Sequence, residues 1–307
     1  MPAALRLRTY EASVVSDAVP RRLAHAGLDA MRIQSIYRSV INITTSDGLL
    51  CVASPDVGGL PNGIQVDLGA DSRVIGLEPG MVVQAGRTRL RVPAAALEIQ
   101  LDTAARWSAR FRSPRGSSVS GAAGWRARAS ATRTIAGARM STGGFGPLLR
   151  EDATDGDRTG TLAVARPIVV ALVAALEAGD RSAAADIAIG LIGLGPGLTP
   201  SGDDTLVGME AGLHALGAPT AGFLALAVDG LEDRTTALAA TLLRHAAAGE
   251  FAERLHRLVG ALLGSDDETV ATAIDRAASW GATSGMDSLF GVLIGLDLAS
   301  RDPMAQH

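Results

Sequence analysis

An α+β fold is predicted, with a small β-rich N-terminal domain over residues 1–104, an Arg/Gly/Ser-rich linker over 105–160 and an all-α domain over 161–307. Three observations carry this prediction. From about residue 30 to 103 apolar residues recur at a period near two, broken by turn signals. From Leu162 onward Ala-rich stretches of helical periodicity run to the end. In that second half a thirteen-residue pattern occurs twice, SGDDTLVGMEAGL at Ser201–Leu213 and SGMDSLFGVLIGL at Ser284–Leu296, offset by 83 residues (284 − 201).

Tyr10 to Ala26 is read as a short helix interrupted near Pro20. IQSIYRSVINITT and LLCVAS flank SDG, a hairpin-turn signal. GIQVDL is a strand and EPG a turn. MVVQAGRTRLRV is a second hairpin turning at Ala85-Gly86, and ALEIQLD is a further strand. The next stretch, RWSARFRSPRGSSVSGAAGWRARASATRTIAGAR, holds eight Arg and no acid. It is read as a solvated linker, or else as an arginine-lined arm contacting an anionic ligand or a partner subunit. Helices follow over LAVARPIVVALVAALEAG and RSAAADIAIGLI, then 203–217, about 220–230, 232–248, 250–263, 266–280 and 285–300. Ser265 with Glu268 has capping-box spacing for the helix at 266–280.

Composition bounds the chemistry. Hydrophobic residues are 47% and charged residues 20%, which suits a soluble protein with a sizeable core; aromatics are only 3%, so Leu, Ala, Val and Ile must fill it. The net charge of −4 offers no overall attraction for nucleic acid. All 28 basic residues are Arg, which excludes Schiff-base lysine chemistry and a P-loop lysine. Cys51 is the only cysteine, so no intrachain disulfide and no Cys-based zinc site can form. The first residues lack a signal-peptide core, and no apolar run reaches the ~18 residues of a membrane span. The expected location is the cytoplasm, without membrane or nucleic-acid partners.

Each copy of the repeat starts with Ser-Gly and then a helix. Ser201 with Asp204, and Ser284 with Asp287, again have capping-box spacing. Gly208 and Gly212, like Gly291 and Gly295, are interior, and each costs about 1 kcal/mol relative to Ala in a helix. Such a cost implies close approach of another backbone. The two helices are therefore expected to pack on each other about a local pseudo-twofold, with both N-termini beside one cavity, where free N–H groups attract anions. The first copy is preceded by GLIGLGPGLTP, a loop whose glycines and prolines cannot all be helical; it is read either as an anion cradle or as a plain interhelical turn. Asp203 has Met286 as its counterpart, so the repeat does not require it, and a ligand-orienting or general-base role is read for it beside the alternative of a favourable helix-start charge. Thr235 and Thr236 are hydroxyls that either face a ligand or back-bond to a helix. Glu210 and His214 stand one turn apart but lack a third metal ligand and are read as a surface pair. His25, His245, His256 and His307 show no triad logic.

GLGPGLTPSGDD, followed by TT and then TSGMD, resembles the signature of the AllH-like family, which includes a subunit of oxamate carbamoyltransferase of allantoin degradation. IYRSVINI is similar to the family's β-rich opening and LLRHAAAGE to its helical middle. Ala239 and Ala282 stand where a serine and a histidine are expected. The resemblance implies carbamoyl transfer between oxalurate and phosphate, giving oxamate and carbamoyl phosphate, in a multi-subunit assembly. Asp203, Asp204 and Asp287 are then candidate catalytic residues. Gly195, Gly197, Thr199, Ser201, Gly202, Thr235, Thr236, Thr283, Ser284 and Gly285 are candidate contacts to a small anion. No cofactor is expected; Asp203 and Asp204 are the one place where a divalent cation could sit. The alternative is a non-catalytic subunit that binds an anion or packs against the catalytic chain.

Overall fold

The computed structural model describes residues 6–19, 23, 31–69, 76–111, 118–139, 143–149, 160–265 and 268–301. The chain divides into two compact units, 1–109 and 110–307.

The first unit is a β-barrel. Its strands are β1 (Arg8–Ser16), β2 (Met31–Ile36), β3 (Val40–Thr45), β4 (Gly48–Ala53), β5 (Gly63–Val66), β6 (Val82–Ala85), β7 (Arg89–Val92), β8 (Leu97–Gln100) and β9 (Ala105–Trp107). They are ordered β5-β4-β3-β2-β6-β7-β8-β1-β9, and β1 also pairs with β5, which closes the ring. The N-terminal half of β1 runs parallel to β8, and its C-terminal half, beyond an irregularity at Ala12–Val14, pairs with β5 and β9. Ile33, Ile41, Leu50, Ile64, Leu90 and Ile99 fill the interior. The SDG turn joins β3 to β4, with Gly48 at φ 106°.

Two expectations are corrected here. Tyr10–Ser16 is strand, not helix: Ala12, Val15 and Ser16 are buried against neighbouring strands, and pairing outweighs the helical propensity of Glu and Ala. Most of the remaining predicted helix to Ala26 lies outside the described residues. IQSIYRSVINITT is two strands, β2 and β3, with Tyr37 N–H bonded to Val40 O across the turn.

The second unit is helical: α1 (Ser118–Arg139), α2 (Gly160–Glu177), α3 (Arg181–Ala188), α4 (Ser201–Ala215), α5 (Ala237–Ala247), α6 (Glu253–Leu263), α7 (Val270–Ala278) and α8 (Ser284–Arg301). The segment read as a solvated linker contains α1. Ala122, Trp125, Thr132 and Ala136 form its buried stripe, and Trp125 Nε1 donates to Asp297 Oδ1 at 2.9 Å. Its arginines bind the chain itself: Arg128 donates to the terminal carbonyls of α6, Leu262 and Leu263, where a cation complements the helix dipole, and Arg133 and Arg139 pair with Asp297 and Asp275. By length and composition α2 could cross a membrane, with a mean hydropathy of 1.7, against the expectation that no such segment exists; Ala165, Val169, Leu172 and Leu176 form its buried face.

Three local readings also change. The helix expected at 220–230 is replaced by short 3-10 turns at Phe223–Leu226 and Leu231–Asp233. The reason is Glu210, which is fully buried and not a surface residue: its carboxylate accepts from Gly222 N at 2.7 Å and Leu224 N at 2.9 Å. Burial nevertheless pushes its carboxyl up to about 7. His214 lies 3.5 Å from it and is half-buried. The capping box Ser265–Glu268 does not form. Thr269 caps α7 through Thr272 N, Ser265 donates to Gly260 O, and Glu268 pairs with Arg276 at 2.8 Å.

Candidate functional site

The repeated motif supplies α4 and α8, which run parallel in backbone contact. A Cβ on Gly208 would lie 2.1 Å from Ser288 O, and one on Gly291 would lie 2.0 Å from Thr205 O. A Cβ on Gly212 would meet Val292 O at 2.6 Å, and one on Gly295 would meet Met209 O at 2.3 Å. These pairs exchange under the 83-residue offset, so the expected pseudo-twofold is present and runs along the two helices. Gly202 and Gly285, themselves 83 residues apart, each lie against a carbonyl near the end of a preceding helix: a Cβ there would meet Leu191 O at 2.0 Å and Ala277 O at 1.8 Å, although these two carbonyls are 86 residues apart and fall outside the offset.

The two helix starts therefore lie together, but they are not capped as the spacing implies. Pro200 occupies the N-cap of α4 and makes no side-chain cap bond. The serine hydroxyls cross instead. Ser284 faces the Asp204 carboxylate and Ser201 that of Asp287, across the two copies, while Thr199 and Thr283 face the aspartate of their own copy; each hydroxyl lowers the carboxyl it faces. Thr199 Oγ1 and Ser284 Oγ are themselves 2.8 Å apart. Asp204 and Asp287 are both buried, and Oδ2 of each has no hydrogen-bond partner among the described residues. Burial raises both carboxyls. Asp204 reaches about 7, with its hydroxyl partners and Arg254 opposing the rise and Asp287 adding to it. At neutral pH Asp204 is thus poised between acid and carboxylate.

Three groups that sequence reasoning missed complete the site. Phe145 N donates to Asp287 Oδ1 at 2.6 Å, and Gly144, at φ 68°, presses its backbone on that carboxylate: a Cβ there would lie 2.3 Å from Oδ1. The only signal was the GGFG run, hidden in the segment read as linker. Arg254 of α6 stands beside Asp204 with its guanidinium 5.1 Å from the Trp280 ring centroid, and its Nε is buried without a hydrogen-bond partner among the described residues. Nothing in the local sequence marked it.

Asp203 has a different duty from the one expected. It is buried, and both oxygens are occupied, Oδ1 by Gly193 N at 3.0 Å and Oδ2 by the Thr235 hydroxyl. Thr235 and Thr236 are not inside a helix. Thr236 caps α5 through Ala239 N and donates to Leu198 O. Together these residues pin the loop at 193–200. Gly193, at φ 77°, needs to be glycine because a Cβ would strike Arg234 O at 2.0 Å. Gly195 lies half-buried against Ser201 N, while Gly197 is exposed at the loop tip. The expectation that Gly202 and Gly285 offer free N–H groups is corrected: they donate to Leu194 O and Trp280 O. Thr199, Thr283 and Ser284 are half-buried and form the rim above the aspartates. Among the described residues no group of three or more His, Cys, Asp or Glu is arranged to hold a metal ion.

Asp203→Asn should therefore lower stability by about 1–3 kcal/mol, because an amide cannot accept at both positions and one buried donor loses its partner. Thermal unfolding checks this, and an unchanged midpoint would contradict the loop-pinning role.

No solved structure matches the chain. Residues 191–296, which hold both repeats, the glycine loop and Arg254, match the family model described as oxamate carbamoyltransferase subunit AllH. Residues 10–106, the barrel, match that of the AllH family N-terminal domain. These matches cover most of the described fold, and the chain belongs to the AllH family, whose name is that of a subunit of oxamate carbamoyltransferase.

Proposed function

We propose that this chain provides the carbamoyl-transfer site for oxalurate and phosphate, giving oxamate and carbamoyl phosphate, within an assembly of several subunits in the cytoplasm. The observation that carries the reading is the pair of aspartates, each faced by the serine of the other copy and each with an oxygen left over, at two adjoining helix starts beside Arg254. In the reaction a phosphate oxygen bonds to the carbamoyl carbon and the bond from that carbon to the oxamate nitrogen breaks. The departing nitrogen takes a proton. Asp204, with a carboxyl near 7, suits proton donation at neutral pH. Asp287 holds the second position as hydrogen-bond acceptor for an amide N–H. Arg254 supplies the cation for a carboxylate or phosphate group, since a guanidinium presents paired donors to such anions. Asp203, Thr235 and Thr236 shape the loop that borders the anion. A divalent cation at Asp203 and Asp204 finds no support in this arrangement, because the oxygens of Asp203 are taken.

The burial of both aspartates also favours a second reading, in which this chain recognises the small anion and another subunit completes the chemistry. Calorimetry of the purified chain with phosphate and with oxamate, followed by a carbamoyl phosphate assay with and without the other subunits, separates the two. Arg254→Met is expected to weaken anion binding about tenfold to a hundredfold, the worth of a charge-assisted hydrogen bond. If neither anion binds the chain or its assembly, or if the variant binds like the parent, the site assignment fails.

A further inference from the structure

Helix α2 leaves one long face uncovered. Ala163, Pro167, Val170, Ala171, Ala174 and Ala178 point outward along it or just beyond its end, and Val170 is 64% exposed. The opposite face, through Ala165, Val169, Leu172 and Leu176, already anchors the helix in the core. A stripe so apolar is unusual on a solvated surface, and its residues are small, which suits close approach of a second helix. Two charged residues flank it, Arg166 and Glu177. They are eleven residues apart, about three turns, so they lie on the same edge of the stripe.

The stripe is also its own complement. Reversing α2 about a point between Val170 and Ala171 exchanges Val170 with Ala171, Pro167 with Ala174 and Ala163 with Ala178. In an antiparallel pair related by that twofold, like edges meet. Arg166 of one copy then falls within about 3 Å, along the axis, of Glu177 of the other. Glu177 is also paired within its own chain, with Arg301 at 2.7 Å.

We infer that the α2 face is a twofold interface with a second copy of this chain, formed by antiparallel packing of α2 on α2. An unlike partner or a membrane would need the apolar stripe but not the matched placement of opposite charges about its midpoint.

The test is sedimentation analysis of the full chain. The parent is expected to be a dimer at micromolar concentration. Val170→Glu should shift the equilibrium towards monomer about a hundredfold or more, with an unchanged circular dichroism spectrum. Arg166→Glu and Glu177→Arg should each weaken the dimer, and the double variant should recover it; a double variant no better than the single ones overturns the charge pairing and with it the register. Ala171→Cys, next to the twofold, should yield a covalent dimer on oxidation, whereas the parent, whose Cys51 is buried, should not. A parent that sediments as a monomer overturns the inference. So does a monomer that pellets with lipid vesicles or binds only a different subunit through this face. A dimer untouched by Val170→Glu overturns it as well.

Discussion

Gly291→Ala is expected to lower the unfolding midpoint of the helical unit by about 5–10 °C. The added methyl would lie 2.0 Å from Thr205 O and 2.7 Å from Met209 N, both backbone atoms of α4 that cannot swing away as a side chain would. The helices must part along their contact, and overpacking of this kind costs about 1–3 kcal/mol or more. The better helix propensity of Ala returns about 1 kcal/mol in the other direction, so the upper end of the overpacking range, or beyond it, is the relevant one. A unit of this size loses about 2–4 °C per kcal/mol. Gly137→Ala in α1 is the control, because a Cβ there meets nothing within 4 Å; it should leave the midpoint unchanged or raise it slightly. Scanning calorimetry of the two variants decides the matter. Equal midpoints would mean that the α4–α8 contact is not as close as described.

The second large effect concerns Asp204→Asn, expected to reduce turnover about 10²- to 10⁴-fold, the usual worth of a general acid, and to flatten the pH dependence of stability. Burial raises the Asp204 carboxyl from 3.8 to about 7, so folding favours its protonated form. Its contribution to stability is present in full below about pH 4 and is lost as pH rises through about 7. Glu210 acts in the same direction, moving from 4.5 to about 7, and Asp203 and Asp287 are raised as well. His214 opposes them: burial lowers it, so its contribution is present above about 6.5 and lost as pH falls. Several buried carboxyls outweigh one half-buried imidazole, and the midpoint should be higher at about pH 6 than at about pH 8. Asparagine does not ionise, so in Asp204→Asn the loss between those two values should shrink. A parent more stable at the alkaline end, or a variant with the parent's pH slope and turnover, would remove Asp204 from its assigned role.

The repeat made the α4–α8 contact legible, because interior glycines four apart have few other uses in a soluble helix. It also misled at its first residues. Ser-x-x-Asp satisfies a capping box within one helix, and nothing in one copy reveals that the other copy will supply the hydroxyl. Asp203 looked surplus for a similar reason: Gly193 is ten residues away and Thr235 thirty-two, and only the folded loop brings both to its oxygens. Helix α1 was hidden by composition. Its inward stripe is mostly small residues around a single Trp125, and its arginines satisfy carbonyls and carboxylates of distant segments. Strand β1 was misread because Thr-Tyr-Glu-Ala-Ser is locally neutral and only its neighbours decide between helix and strand. The turn between β3 and β4 was legible from its own signal, SDG, while the strand before it proved to be two, and the β6–β7 turn lies over residues 86–88, just past the Ala85-Gly86 expected, because Ala85 pairs with Leu90.

The crossed hydroxyls have a consequence for how the chain acquires its structure. During synthesis α4 leaves the ribosome well before α8, and until α8 arrives Asp204 lacks the Ser284 hydroxyl and the glycine face of α4 has nothing to lie on. The start of α4 is completed only by a contact 80 residues downstream, from Asp204 to Ser284, so its folding cannot be a local, early event; it must wait for a long chain closure, which slows folding and leaves an apolar surface open meanwhile. Truncation before Ser284 would accordingly not trim one helix from the unit. It would leave the first copy of the motif without the partner that makes it a helix start, and the remaining chain would be a client for chaperones rather than a smaller folded protein.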